Sequence, residues 1–402
     1  MIYTIQAGMR TGMVTPPVSK SIAHRKLICA ALSEGACVVD CGPAEELSAD
    51  ITATEDCLKE LLHGGSVLPC KESGSTLRFL LPVAAALGAD VSFHMEGLLP
   101  NRPHKELIEQ LVLHGAKIRQ DGSELYCKGP LDPGTYTIPG GVSSQFISGL
   151  LFALPLLAGD SRIVIEGKLE SAAYVAMTEQ AVREAGIRVI KEENGYFIPG
   201  GQKYRAKAYE TVEKDWSGAA FYLCMGALGT EGITVSGLRK DSLQGDRSIL
   251  AVLRGFGAEV TESEAGILVK RGASMKPQTI DASEIPDLVP VICVLAAGIN
   301  GETRITHAER LRYKESDRLA TTAALIRSLG GNAEQTADGL LIKGTGTLTG
   351  GTVDPYKDHR IAMSAAVAAA ICRDPVVIKD AECAGKSYPG FYQDLEQLEV
   401  TG

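Results

Sequence analysis

Four glycines spaced 71, 71 and 73 residues apart constrain this chain more than any other feature. Gly115, Gly186, Gly257 and Gly330 each close an amphipathic segment and lead into a β-rich stretch, a turn and a second β-rich stretch. The segments are LIEQLVLHGAKIRQDGSELYCKG from Leu107, MTEQAVREAGIRVIKEENGYFIPG from Met177, ILAVLRGFGAEVTESEAGILVKRG from Ile249 and ATTAALIRSLGGNAEQTADGLLIKG from Ala320. In three of them a second glycine follows nine residues later, at Gly195, Gly266 and Gly339. A helix C′ position and a tight hairpin turn both call for positive φ, so glycine is expected at both places. A weaker copy at CLKELLHGG and a closing helix, FYQDLEQLEV, bring the count to six units. A period of about 70 residues is long for a solenoid repeat and has room for a βαβ-type unit with a second helix. Six units divide into two domains of three.

The second helix of each unit is Ala-rich and mostly apolar. SIAHRKLICAALSEG, STLRFLLPVAAALG, SSQFISGLLFALPLLAG, WSGAAFYLCMGALG, IPDLVPVICVLAAG and HRIAMSAAVAAAICR read as helices buried on several sides. The expected class is therefore α/β with mixed sheets, helices inside and sheets outside.

The chemistry gathers where these helices begin. Their entering sequences, PPVSKSIAHR, KESGSTLR, PGGVSSQF, EKDWSGAAF, ASEIPDLVP and DPYKDHRIAM, offer Ser or Asp as N-caps and repeatedly set Lys, Arg or His in the first turns. A cation there opposes the helix dipole, and a bound anion would offset the conflict. Lys20, Arg25, Arg78 and Arg360 could each pair with a surface carboxylate instead; their recurrence in an acidic chain favours anion binding. The densest cluster is AERLRYKESDRL, with Arg310, Arg312, Lys314 and Arg318 around Glu315 and Asp317. Ser316 is expected to cap the helix running to Gly330, with Arg318 gripping a carboxylate and Glu315 moving protons beside it. Arg102 in NRPHKEL and Lys386 in GKSYPGF are further anion candidates. Asp287, in apolar IPDLVP, is costly to bury without a task.

Composition narrows the function class. The net charge is -9, with 49 acidic and 40 basic residues and 5% aromatics, which disfavours nucleic acid and anionic membrane as partners. Of ten cysteines, Cys29, Cys224, Cys293 and Cys372 lie in Ala/Leu/Val-rich stretches, and there is no CxxC pair or zinc spacing. The N-terminus carries no signal-like apolar run, and no apolar stretch reaches the roughly 20 residues that span a bilayer. A cytoplasmic protein with no metal is expected. No GxSxG, P-loop, GxGxxG or HExxH motif occurs, leaving acid–base transfer between anionic small molecules as the expected chemistry.

Taken in order, VSKSIAHR, SGSTLR, NRPHKEL, GVSSQF, IPD, RYKESDRL, KDHRIAM and GKSYPGF closely resemble the 5-enolpyruvylshikimate-3-phosphate synthase family over nearly the whole chain. The resemblance implies a two-domain inside-out α/β barrel of six βαβαββ units, three per domain. Domain one would comprise 1–14 and 214–402, domain two 15–213, with the active site in the cleft and closure on substrate. It implies transfer of the carboxyvinyl group of phosphoenolpyruvate to the 5-hydroxyl of shikimate 3-phosphate without metal or cofactor, by a monomer. Lys20, Asp287 and Glu315 would be catalytic. Shikimate 3-phosphate would meet Lys20, Ser21, Arg25, Ser143, Ser144, Gln145, Ser171, Tyr174, Asp287 and Lys314. Phosphoenolpyruvate would meet Lys20, Gly74, Arg102, Gln145, Arg318, His359, Arg360 and Lys386.

Some positions depart from the family pattern. Glu72 and Arg310 each stand where Asn is common, Lys214 replaces a usual Gly, and Ala172-Ala173 replace Lys-Pro. A carboxylate at 72 would face an anion unless it turns away or is paired. The rival family on the same fold, UDP-N-acetylglucosamine enolpyruvyl transferase, pairs its N-terminal Lys with Asn and carries a loop Cys. Here Ser21 follows Lys20, and NRPHKEL has no thiol. A non-catalytic anion binder would need the arginines but not Asp287 and Glu315 beside Lys20.

Overall fold

The computed structural model describes residues 1–401 as a mixed α/β chain of two compact units. One unit comprises Met1–Ser19, Ala44–Ser48 and the chain from Glu213 onward; the other comprises Lys20–Pro43 and Ala49–Val212. Each has its own apolar core.

The second unit holds three sheets. Val67–Lys71 runs parallel to Asp90–Met95, which pairs antiparallel with Glu124–Lys128, itself antiparallel to Lys117–Asp121. Thr135–Pro139, Ser161–Glu166, Gly195–Ile198 and Ile190–Glu192 repeat that order strand for strand. A third, two-stranded sheet pairs Val38–Asp40 with Tyr209–Thr211 in parallel.

The first unit repeats the plan. Thr279–Asp281, Gly301–Thr306, Leu340–Gly344 and Asn332–Gln335 form one four-stranded copy. Met9–Val14, Ile233–Val235, Ile267–Lys270 and Glu259–Glu262 form another, extended by Glu399–Thr401. Gly351–Val353, Val376–Ile378 and Tyr3–Ile5 make the last sheet.

Between the parallel strands runs an apolar helix. Every residue of Trp216–Leu228, Val289–Ala297 and His359–Ala368 is buried, as are most residues of Gly74–Ala86 and Ser144–Ala153. The helix Lys20–Ala31 departs from the expectation, since only Ala23, His24, Arg25, Ile28 and Cys29 are buried. Its other residues are part-buried, and its sheet has two strands where most of the others have four or more.

The first repeat glycines behave as predicted: Gly115, Gly186, Gly257 and Gly330 all take positive φ, between 80° and 98°. In the second set Gly195 and Gly266 also take positive φ, at 147° and 139°, while Gly339 does not. What Gly195, Gly266 and Gly339 share is a carbonyl of the adjoining strand, from Ile163, Val235 and Ile305, lying 1.8, 2.4 and 2.0 Å from where a Cβ would stand. Close backbone approach demands glycine at all three, and at Gly195 and Gly266 it adds to the positive φ.

All ten cysteines are free thiols, and eight of them are buried. No helix among the described residues is long and apolar enough to cross a membrane.

Candidate active site

In the second unit, helix starts assemble two adjoining sets of polar side chains. Lys20 opens its helix and sets Nζ 2.8 Å from Asp50 Oδ2, with 16% and 7% of the two side chains exposed. Arg25, one turn later, is buried and fully engaged. Nε donates to Thr178 Oγ1 at 2.8 Å, Nη1 to the Ser21 carbonyl at 2.5 Å and Nη2 to the Tyr174 carbonyl at 2.8 Å, while the guanidinium lies over Phe79. Arg25 thereby ties its own helix to Ala172–Glu184. Ser171, just ahead of that helix, is buried and holds φ 54° and ψ 44°, a left-handed conformation unusual for serine.

The second set surrounds Gly74. Ser73 caps the helix Gly74–Ala86, and Ser143 caps Ser144–Ala153 through the Gln145 amide. Gln145 accepts from Arg78 Nη1 at 2.7 Å and donates to Ser75 Oγ at 2.8 Å. A Cβ on Gly74 would stand 2.9 Å from Arg78 Nη1 and 3.1 Å from Arg102 Nη1, so both guanidinium groups close over this glycine. Two cations, the amide of Gln145 and a helix N-terminus converging without a side chain at 74 make a cradle suited to phosphate. Glu72 lies against Gly97, where an added Cβ would come 2.5 Å from its Oε1.

In the first unit the cluster is built around Arg318, which is 1% exposed. Nε donates to Asp358 Oδ2 at 2.8 Å, Nη1 to Asp287 Oδ1 at 2.8 Å, and Nη2 to Glu315 Oε2 at 2.8 Å and Asp358 Oδ1 at 3.2 Å. Asp287 also faces Lys314 Nζ and Arg360 Nη2, each at 3.5 Å. Burial alone would raise the Asp287 carboxyl, but the combined field of Lys314, Arg360 and Arg318 holds it well below the usual carboxylate range. Lys314 is pushed down by burial, against the pull of Asp287.

One capping assignment is corrected. Asp317, not Ser316, caps the helix Arg318–Ser328, accepting from the Leu319 and Ala320 amides at 3.1 Å. Ser316 Oγ instead donates to Asp358 Oδ2 at 2.9 Å. An ionised carboxylate accepts two amides more strongly than a hydroxyl does, which frees the serine to hold Asp358.

The expected residues thus fall into separate groups. Asp287, Lys314, Glu315, Arg318 and Arg360 form one charged cluster; Gly74, Arg102 and Gln145 meet around Arg78; Arg25 donates to the backbone carbonyls of both Ser21 and Tyr174. His359 is buried at the first position of its helix with Nδ1 3.8 Å from Asp358 Oδ1, and Lys386 ends the 3-10 segment Ala381–Lys386. Asp50, Asp358 and the structural use of Arg78 were not assigned from sequence. Spacing along the chain carries no sign of partners 30, 40 or 67 residues away. Among the described residues no group of three or more His, Cys, Asp or Glu is placed to hold a metal.

A model of the family described as EPSP synthase (3-phosphoshikimate 1-carboxyvinyltransferase) matches residues 45–395. A Clostridium perfringens protein named 3-phosphoshikimate 1-carboxyvinyltransferase is 41% identical, with 96% of each chain covered. A Clostridium kluyveri protein of the same name is 42% identical over 96% of this chain and 95% of its own. Among solved structures, EPSP synthase from Acinetobacter baumannii superposes over 100% of both chains with a TM-score of 0.79 at 25% identity. Glycine-marked units, helix-start cations, a carboxylate cluster and full-length similarity converge, and the chain belongs to the EPSP synthase family.

Proposed function

We propose that the protein transfers the 1-carboxyvinyl group of phosphoenolpyruvate to the 5-hydroxyl of shikimate 3-phosphate, releasing phosphate, as a cytoplasmic monomer that serves aromatic amino-acid biosynthesis. The observation that carries the reading is the cluster of Asp287 and Glu315 with Lys314, Arg318 and Arg360. It offers carboxylates able to move protons and cations able to hold an anionic substrate.

In this reading Arg318 and Arg360 hold the substrate carboxylate, while Gly74, Arg102, Gln145 and Lys386 hold the phosphate of phosphoenolpyruvate. Ser143, Ser144 and Ser171 take the shikimate phosphate, with Ser21, Arg25, Tyr174 and Lys314 forming the rest of that pocket, and His359 lies with the phosphoenolpyruvate set. Asp287 accepts the proton of the 5-hydroxyl as its oxygen attacks C2 of the enol, and the vinyl carbon C3 takes a proton from Lys20 or Glu315. The tetrahedral adduct then loses a C3 proton and expels phosphate. A depressed Asp287 is a weak base while Arg318, Lys314 and Arg360 face it. A substrate carboxylate that draws those cations raises its basicity as the Michaelis complex forms.

The proposed roles fall on both units, so we also propose that the site forms in the cleft between domains and closes on substrate. Phosphate release from phosphoenolpyruvate and shikimate 3-phosphate, with Glu315→Gln in parallel, tests the reaction. Release by the wild type and its loss in the variant support it. Release only when UDP-N-acetylglucosamine replaces shikimate 3-phosphate assigns the rival activity, and silence with both acceptors leaves a binding protein.

A further inference from the structure

Asp246 is a buried carboxyl that the reaction proposed above does not use. It lies in the 3-10 segment Gly245–Ser248 and is 1% exposed. Oδ2 is hydrogen-bonded to the Ser217 hydroxyl, and Oδ1 has no hydrogen-bond partner. Ser217 is the second residue of the helix Trp216–Leu228. Its amide donates to Asp215 Oδ1 at 2.8 Å, and its carbonyl accepts from Arg360 Nη1 at 3.2 Å. One serine therefore separates Asp246 from an arginine proposed to hold the substrate carboxylate. Arg360 is 3% exposed, and its Nε has no hydrogen-bond partner.

The groups facing Asp246 come from three neighbouring elements: Asp215 at the start of Trp216–Leu228, Asp287 in Pro286–Leu288, and Arg360 in His359–Ala368. On its own segment Arg247 is exposed. An ionised carboxylate with an unsatisfied buried oxygen is costly, and two neighbouring carboxylates add to that cost. Burial first, then repulsion by Asp287, outweigh the pull of Arg360 and the Ser217 hydrogen bond and push the Asp246 carboxyl up to about 7.

We propose that Asp246 is a positioning residue for Arg360: uncharged, it leaves the guanidinium free for the substrate carboxylate, and ionised, it draws that positive charge back into the protein. The argument rests on the carboxyvinyl-transfer reading for the identity of the anion. By linkage, a substrate anion on Arg360 raises the proton affinity of Asp246 and ionised Asp246 weakens the substrate by the same factor.

The test follows KM for phosphoenolpyruvate from pH 6 to 8.5 in the wild type, Asp246→Asn and Ser217→Ala. The wild type should show KM rising about fivefold or more beyond the change in Asp246→Asn, which carries every other titration, the substrate's included. Ser217→Ala removes a hydrogen bond that favours the ionised form, so its rise should move to higher pH. Parallel profiles in wild type and Asp246→Asn would overturn the proposal. Infrared difference spectra of the ligand-free protein read the same group without turnover. A carboxylic-acid C=O band missing in Asp246→Asn and lost as pH passes 7 supports it, and a carboxyl already ionised at pH 5 overturns it. If the wild type released no phosphate while that band titrated near 7, the reaction assignment would fail and the neutral buried acid would stand.

Discussion

Arg318 and Asp358 form a two-pronged ion pair, Nε to Oδ2 at 2.8 Å and Nη2 to Oδ1 at 3.2 Å, with side chains 1% and 0% exposed. Asp358 also caps its own helix through the Arg360 amide at 2.9 Å and accepts from Ser316 Oγ. One carboxylate thus joins the entry of two helices, holding the Arg318 side chain and the Arg360 amide.

Asp358→Asn should therefore cost more than an ordinary cap replacement. Asn keeps a capping oxygen but cannot match the charged fork, leaving the buried arginine short of one partner. Removing one side of such a pair typically costs about 3–5 kcal/mol. Urea unfolding should show that loss, and Arg318→Lys, which keeps charge without the planar fork, should also lose stability. A Asp358→Asn protein within about 0.5 kcal/mol of wild type would show the pair to be dispensable.

Much of this cluster is legible in sequence, and the limits have physical reasons. Positive φ at Gly115, Gly186, Gly257 and Gly330 follows from helix termination, a local event that local residues report. Caps at Ser73, Ser143, Asp215 and Asp358 follow from chemistry within three residues. Arg318 could be named, but not its carboxylate partner Asp358, because that pair is made by packing two helices 40 residues apart. Asp246 carries no local sign at all; SLQGD reads as a turn, and its meaning comes from Asp287 and Arg360. The partial burial of Lys20–Ala31 is not legible in the sequence, because an Ala-rich helix reads alike whether its cover is partial or complete.

The two aspartates Asp287 and Asp246 should pull stability in opposite directions with pH. Asp287 is depressed, so its stabilisation is present above the unfolded carboxyl pKa and lost as pH falls through the folded value. Asp246 is raised to about 7, so the unfolded chain releases that proton first and stability declines as pH climbs from about 4 to about 7. Asp246→Asn should remove the decline, being more stable than wild type at pH 8 by a few kcal/mol and losing that advantage toward pH 4. Urea midpoints at both pH values check the sign. Equal differences at both would show that Asp246 does not titrate with folding.

Ser171→Gly should separate stability from binding. The left-handed conformation at φ 54° costs a serine about 1 kcal/mol or more, and glycine adopts it freely. The variant loses a hydroxyl proposed to hold the shikimate phosphate. Unfolding should show little loss or a gain, while KM for shikimate 3-phosphate rises about tenfold, the scale of one hydrogen bond to a charged group. Unchanged KM would remove Ser171 from the binding set.

Gly74→Ala should damage the phosphate cradle selectively. The new methyl would stand 2.9 Å from Arg78 Nη1, closer than real Cβ contacts come, and 3.1 Å from Arg102 Nη1, tighter than most of them. Both obstructing atoms are ends of long side chains, so the fold should adapt and the guanidinium groups should move. Arg78 is held by Gln145 and the Pro103 carbonyl, so its displacement would strain those hydrogen bonds. A displacement of about 1 Å in a positioning group can cost up to 10²-fold. KM for phosphoenolpyruvate should accordingly rise about tenfold or more, with KM for shikimate 3-phosphate and the unfolding midpoint changing little. Gly141→Ala meets nothing within 4 Å and serves as the control. Equal kinetics for the two alanine variants would mean that the cradle around Gly74 does not touch the substrate phosphate.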